Sequence, residues 1–233
     1  EEAPAPQELD PAEISAIVAN FADSARRAER VGIDALELHA AHGYLLHQFL
    51  SPISNLRTDS YGGSLNNRMR FTLEVFEATR SAWPSNKPLG IRLSATDWVD
   101  GGWDIEQSIV LCKLLQERGC DWIDVSSGGL SQDQVVPVGP GYQVHLSERI
   151  RRETGLPTIA VGMITEPRQA EFIVSEGKAD MVALARGMLY DPRWVWHAAD
   201  ELGGQAEYPV RYRRCRPSQR EDVFGERDTE SVN

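Results

Sequence analysis

An α/β fold with a parallel sheet, laid out as part of a (β/α) barrel, is predicted for this 233-residue chain by two observations. Helix-like segments with an apolar stripe alternate five times with short apolar runs, and successive helix-then-strand units imply parallel strands joined by right-handed crossovers. Within those runs, polar residues recur at alternate positions near the C-terminal ends: Glu37 and His39, Arg92 and Ser94, Asp124 and Ser126. An open doubly wound sheet buries both strand faces under helices and reads as uniformly apolar, whereas barrel enzymes carry their chemistry on the inner face at the C-terminal strand ends. The alternation favours the barrel. A complete (β/α)8 barrel needs eight units in about 250 residues, and five are readable here.

Each element has its own signal. Residues 1–10 are rich in Pro and Glu and read as a loop. Asp10 at an N-cap, Pro11 at the first helical position and Glu13 three residues after the cap start a helix. It runs to about Arg30 on a stripe of Ile14, Ile17, Val18, Phe21, Ala25 and Ala28, and Gly32 ends it. The strand 34–39 follows, with Leu36 and Leu38 on one face and Glu37 and His39 on the other. Helices 65–82, 104–118, 145–154 and 167–176 then lead to strands 89–94, 122–126, 158–162 and 180–185, with Gly119, Gly155 and Gly177 as helix stops. A last helix is expected over 191–201. Residues 11–216 are expected to form the partial barrel domain, and 217–233, with five acids and two arginines after residue 219, a disordered tail.

Composition narrows the function class. With 41% hydrophobic and 25% charged residues the chain is of average globular make-up. A net charge of -11 and a pI near 5.0 give no electrostatic footprint for nucleic acid or an anionic membrane, so a small-molecule partner is expected. Cys112, Cys120 and Cys215 have no C-x-x-C spacing, which suggests neither a disulfide framework nor a zinc site and makes a reducing cytoplasm the expected location. No run approaches the roughly 18 apolar residues of a membrane span, and Glu1-Glu2-Ala3-Pro4 lacks the order of a signal peptide. No G-x-G-x-x-G follows a strand, which disfavours a Rossmann domain.

The candidate chemistry gathers at His39-Ala40-Ala41-His42-Gly43-Tyr44, where two imidazoles and a phenol stand at the point a strand must stop. Such a layout suits acid-base or oxyanion-stabilising work; the alternative is a pair of histidines satisfying core hydrogen bonds. Arg92 points to the same face without a local acid in sequence. A buried guanidinium needs an anion or a carbonyl pair, supplied either by a bound group or by Glu37 or Asp124 across the lumen. The lysines, Lys87, Lys113 and Lys178, do not sit at strand ends, which disfavours Schiff-base aldolase or isomerase chemistry.

These residues lie within strings that resemble a known family. HAAHGYLLHQFLSPISNLRTDSYGGSLNNRMRF (39–71), GIRLSATD (90–97), DVSSGG (124–129), AVGMITEP (160–167) and ALARGMLYDPRW (183–194) look like the Old Yellow Enzyme family of FMN-dependent NAD(P)H oxidoreductases, and most like its bacterial ene-reductase branch. The likeness covers roughly residues 8–216 and implies an eight-stranded TIM barrel of which this chain carries strands 4 to 8, the first three being absent. It implies FMN as cofactor, NADPH or NADH as hydride donor, and reduction of activated alkenes. His39 and His42 would then hydrogen-bond the substrate's carbonyl or nitro oxygen, and Tyr44 would give the proton. Arg92 would contact the flavin ring. Gly162, Met163, Ala185 and Arg186 would hold its phosphate in the loops after the last two strands, where barrels commonly bind phosphate. Ala185 stands where the family usually has glycine. Arg214 best matches an arginine that reaches a neighbouring subunit's substrate site, which implies a homo-oligomer when the full barrel is present. The competing expectation is a truncated or split barrel that does not bind flavin alone and is inactive.

Overall fold

The computed structural model of the protein describes residues 7–215. The expectations for residues 1–6 and for the tail 217–233 lie outside them. Contacts within the chain gather into two compact units, one ending at Arg186 and the other beginning at Gly187.

In the first unit the elements are α1 (Pro11–Arg30), β1 (Leu36–Ala40), α2 (Leu45–Leu50), α3 (Leu65–Ala82), β2 (Leu89–Ser94), α4 (Ile105–Glu117), β3 (Ile123–Ser126), α5 (Val144–Thr154), β4 (Thr158–Val161), α6 (Pro167–Ser175) and β5 (Met181–Ala183). The expected start of α1 is a complete capping box. Asp10 accepts from the Glu13 amide and the Glu13 carboxylate accepts from the Asp10 amide, each at 2.8 Å. Gly155 closes α5 in the left-handed conformation, as its position implies.

The five strands form one parallel sheet in sequential order, β1 and β5 being its edges. Register explains the two kinds of face. Leu38, Ala40, Ile91, Leu93, Ile123, Val125 and Ala160 point outward and are buried in a core shared with Ile14 of α1, Phe71, Val75 and Phe76 of α3, Leu111 and Leu115 of α4 and Ile150 of α5. On the opposite face His39 stands beside Arg92, Arg92 beside Asp124, Asp124 beside Ile159, and Ile159 beside Met181. This inner row is exposed at its edge strands, at His39 and at Met181, and most buried at Asp124 in the middle. A polar inner face against an apolar outer one is the barrel pattern read from the strands.

Several elements depart from expectation. α2 has no amphipathic signal, because Leu46, His47, Phe49 and Leu50 are all buried and the six-residue helix is held by packing on α3 rather than by its own periodicity. β5 is three residues long rather than the expected 180–185, since its ladder to β4 stops at the Val161–Ala183 pair. A short helix α7 (Arg186–Tyr190) follows at once, and the last helix, α8 (Trp194–Glu201), begins three residues later than expected.

The second unit holds the rest of α7, α8 and a 3-10 turn, Val210–Cys215. Arg193 lies over the Trp196 and Tyr212 rings at 5.4 and 5.0 Å, and Trp196 packs on Tyr208 at 4.5 Å. Among its described residues only Ala198 is buried.

Candidate active site

β1 delivers His39 to the C-terminal edge of the sheet, and the chain then turns sharply before α2. His42 and Gly43 make that turn at φ 57° and 76°, both left-handed. A β-carbon at Gly43 would lie 2.5 Å from the Gly129 carbonyl oxygen, so this position requires glycine for space as well as for conformation. The Ser94 hydroxyl accepts from the His42 amide at 2.9 Å and donates to the Gly128 carbonyl at 2.8 Å, tying the turn to the ends of β2 and β3. The three predicted rings come together as a result. His39 stands edge-on to His42 and to Tyr44, with ring centres 5.2 Å apart in each case. Tyr44 sits at the N-cap of α2 with its side chain 64% exposed, free to meet a ligand.

Burial and the neighbouring Arg92 charge disfavour the protonated form of both imidazoles. Desolvation, then the Arg92 charge, then His39 push His42 down to about 4. Desolvation and Arg92 also lower His39. The Ala41 amide donates to His39 Nδ1 at 3.1 Å, which leaves the ring proton on Nε2, a donor directed away from the backbone. His42 Nε2 is 2.6 Å from the Ser126 hydroxyl. Two neutral donors beside a phenol can polarise a carbonyl oxygen and supply a proton, without the cost of desolvating an imidazolium.

Arg92 lies between His39 and Asp124 and forms an ion pair with Asp124, its Nη1 3.3 Å from Oδ2. Of the two acids open to it from the sequence, the structure selects Asp124; Glu37 instead accepts from the Trp122 indole at 3.0 Å. Burial, opposed by Arg92 and assisted by Glu37, raises Asp124 to about 7. Arg92 Nε and Asp124 Oδ1 are both buried without a hydrogen-bond partner. An orphaned donor and an orphaned acceptor facing the inner row are the equipment needed to take the polar edge of a flat heterocycle, and in that respect the residues fit a flavin ring.

The expected phosphate residues fall on two neighbouring loops, because β4 and β5 pair up to Val161 and Ala183. Gly162 and Met163 leave β4 with φ 118° and 49°, and Ala185 and Arg186, both exposed, lead into α7. Arg214 belongs to the 3-10 turn of the second unit.

Sequence reasoning left several participants without a role. Ser94 and Ser126 were legible as inward-facing polar residues, and the structure makes them the anchors of His42. Gln143, 3% exposed, donates to the Val161 carbonyl at 2.9 Å and accepts from Ser127, so it braces the Gly162 turn. His47 and Asp97 are fully buried behind the His42–Tyr44 turn. Nothing in their spacing marks them, because one lies on the unpredicted α2 and the other in a loop beyond β2.

The chain is similar to known proteins over most of its length. The model of a family described as NADH:flavin oxidoreductase / NADH oxidase matches residues 1–205. The chain is 47% identical over 214 residues to an NADPH dehydrogenase of Geobacillus thermodenitrificans (strain NG80-2), covering 92% of this chain and 62% of the relative. Against the NADPH dehydrogenase of Bacillus subtilis (strain 168) the identity is 43%, with the same two coverages. The chain thus spans about 62% of the length of these curated relatives. Among solved structures, a 2-naphthoyl-CoA reductase complex superposes with a TM-score of 0.79 at 28% identity, over 84% of this chain and 30% of that one. Morphinone reductase in complex with tetrahydroNAD gives 0.68 at 30% identity, over 88% and 53%.

Proposed function

The chain belongs to the NADH:flavin oxidoreductase / NADH oxidase family, and on that premise we propose that it carries the substrate-activating part of an FMN-dependent oxidoreductase that takes hydride from NADPH or NADH and reduces activated alkenes. The observation that carries this reading is the His39, His42 and Tyr44 cluster at the C-terminal edge of the sheet, next to Arg92.

Bound FMN supplies the hydride chemistry, which no side chain here provides. The protein's share is binding and polarisation. Arg92 holds the polar edge of the ring, and Gly162, Met163, Ala185 and Arg186 hold the phosphate. His39 donates from Nε2 to the carbonyl or nitro oxygen of the alkene, while His42 exchanges its Ser126 partner for the same oxygen. Fixed donors of this kind act on charge that develops in the transition state, and loss of one costs about 3 kcal/mol. Tyr44 delivers a proton to the carbon next to the activating group. Arg214 completes the substrate site of a neighbouring subunit in a homo-oligomer. A reducing cytoplasm is the compartment that fits this cofactor use and the free thiols of Cys112 and Cys120; among the described residues no helix is long and apolar enough to cross a membrane.

A second reading is supported by the open sheet. Among the described residues β1 and β5 have no partner on their outer edges, and the inner row is exposed at His39 and Met181. On that reading the site residues are present but the chain does not retain FMN by itself.

The test is reconstitution with FMN, removal of free flavin, and assay of NADPH-dependent reduction of a cyclic enone. The expected result is retained visible absorbance and turnover, with Tyr44→Phe lowering alkene reduction by about 10²-fold or more while flavin reduction by NADPH is kept. A colourless protein selects the second reading. Undiminished enone reduction by both Tyr44→Phe and His39→Ala would refute the assigned roles.

A further inference from the structure

We propose that His47 and Asp97 form a buried positioning couple that sets the backbone of the His42–Gly43–Tyr44 turn, and so aims the His42 and Tyr44 side chains. The proposal deepens the functional reading and rests on it for the importance of that turn.

The couple is fully buried, both residues having 0% exposure, and polar groups at such depth are costly unless partnered. Every polar atom of the pair is used. His47 Nε2 is 2.8 Å from Asp97 Oδ1, and Asp97 Oδ2 accepts from the Ser51 hydroxyl and from the Trp103 amide, each at 2.6 Å. Burial works against ionisation of Asp97, yet the hydrogen bonds from His47, Ser51 and Trp103 hold its carboxyl below the ordinary carboxylate range. The remaining nitrogen, His47 Nδ1, accepts from the Gly43 amide at 2.9 Å. A ring that accepts at Nδ1 keeps its proton on Nε2, and the carboxylate facing Nε2 enforces that tautomer.

Position gives this chain of bonds its consequence. It ends on the Gly43 amide, which belongs to the peptide that directly follows His42. Rotating that peptide plane would change ψ of His42, a non-glycine residue already in the left-handed region at φ 57°. His42 would then lose either its amide bond to Ser94 or its ring contact with Ser126. A purely space-filling residue 47 would need no acceptor at Nδ1. Here that acceptor meets the Gly43 amide, while the outer side of the turn is closed by the Gly129 backbone.

Two substitutions separate positioning from packing. In His47→Asn the amide oxygen takes the place of Nδ1 and keeps an acceptor for Gly43, while the reach to Asp97 is lost. In His47→Gln the longer side chain keeps contact with Asp97 and withdraws the acceptor from Gly43. Both remove the imidazole, so its charge effect on His42 cancels between them. The readout is the NMR titration of the His42 ring in the flavin-free protein, with melting curves run alongside. The groups facing that ring are Arg92, His39 and residue 47.

The parent His42 is expected to titrate at about 4. His47→Asn should stay within about half a pH unit of it, whereas in His47→Gln the released ring should move by a pH unit or more towards the ordinary value of about 6.5. Equal His42 titrations in the two variants, with only their melting temperatures differing, would overturn the proposal. So would a Gly43 amide in the parent that exchanges with solvent as fast as an exposed loop amide, a measurement that needs no variant. Neither readout uses flavin or turnover, so absence of enone reduction would count against the functional reading alone.

Discussion

At Asp124 burial competes with an adjacent positive charge, and burial prevails, placing the carboxyl at about 7. Its value in the unfolded chain is the ordinary one near 3.8, so the folded state holds the proton more tightly. Such a group stabilises the fold fully below about pH 4 and loses that contribution as the pH rises towards 7. His42 has the opposite sign. Its folded value of about 4 lies below 6.5, so its contribution is present above 6.5 and is lost as the pH falls to 4. The two windows overlap and partly cancel in the parent protein. Asp124→Asn removes one and leaves the other, so its stability relative to the parent should increase between pH 4 and 7, with a slope approaching about 1.4 kcal/mol per pH unit. Denaturant melts at several pH values measure this, and a constant difference would refute it. The same inner face shows how one small residue makes room for a larger one. A β-carbon on Gly90 would lie 2.1 Å from the Trp122 ring, so the glycine lets the indole cross to Glu37 and leaves Arg92 to Asp124. That division of partners could not be read from the order of residues, because it depends on register across three strands.

The elements differ in how much of their stability is local. α1 carries its own start signal in Asp10, Pro11 and Glu13, and its stripe begins with a buried Ile14 that joins the core under the sheet. Asp10→Ala should cost about 1 kcal/mol through the lost cap, which for a protein of this size lowers the melting temperature by roughly 2–4 °C; calorimetry would show it, and an unchanged melt would mean the cap is redundant with packing on α3. α2 stands at the other extreme. Its six residues are too few to nucleate in isolation, and its buried face includes a histidine that sequence patterning counts as polar. The helix exists because Leu46, Phe49 and Leu50 pack inward and because Asp97 and Gly43 take up both nitrogens of His47. β5 is short for a related reason: a parallel strand lasts only as long as its partner, and β4 ends at Val161.

On the scale of the whole molecule, burial is concentrated beneath β1 to β4. Leu89, Ile91, Ile123, Val125 and Ala160 are completely covered, whereas Met181 of β5 is 44% exposed. Amide exchange should therefore be slowest in β2, β3 and β4, which have strands on both sides, and faster by at least about tenfold, or 1.4 kcal/mol, in β5. Equal protection across all five strands would contradict that gradient. The alternation of helix and strand, the helix caps, and the inward position of His39, Arg92, Asp124 and their neighbours were all set by local composition and by the two periodicities of 3.6 and 2, which act over a few residues and are legible in one dimension. The same holds for His39, His42 and Tyr44 as a group, since they are close in sequence. What the tertiary structure decided is every relation that crosses strands: the choice of Asp124 over Glu37 for Arg92, the Ser94 and Ser126 anchors of His42, the buried Asp97–His47 support of the turn, and the length of β5. Those depend on which groups meet after burial, when an unpaired charge or amide becomes too costly to leave and takes the nearest partner that the register provides.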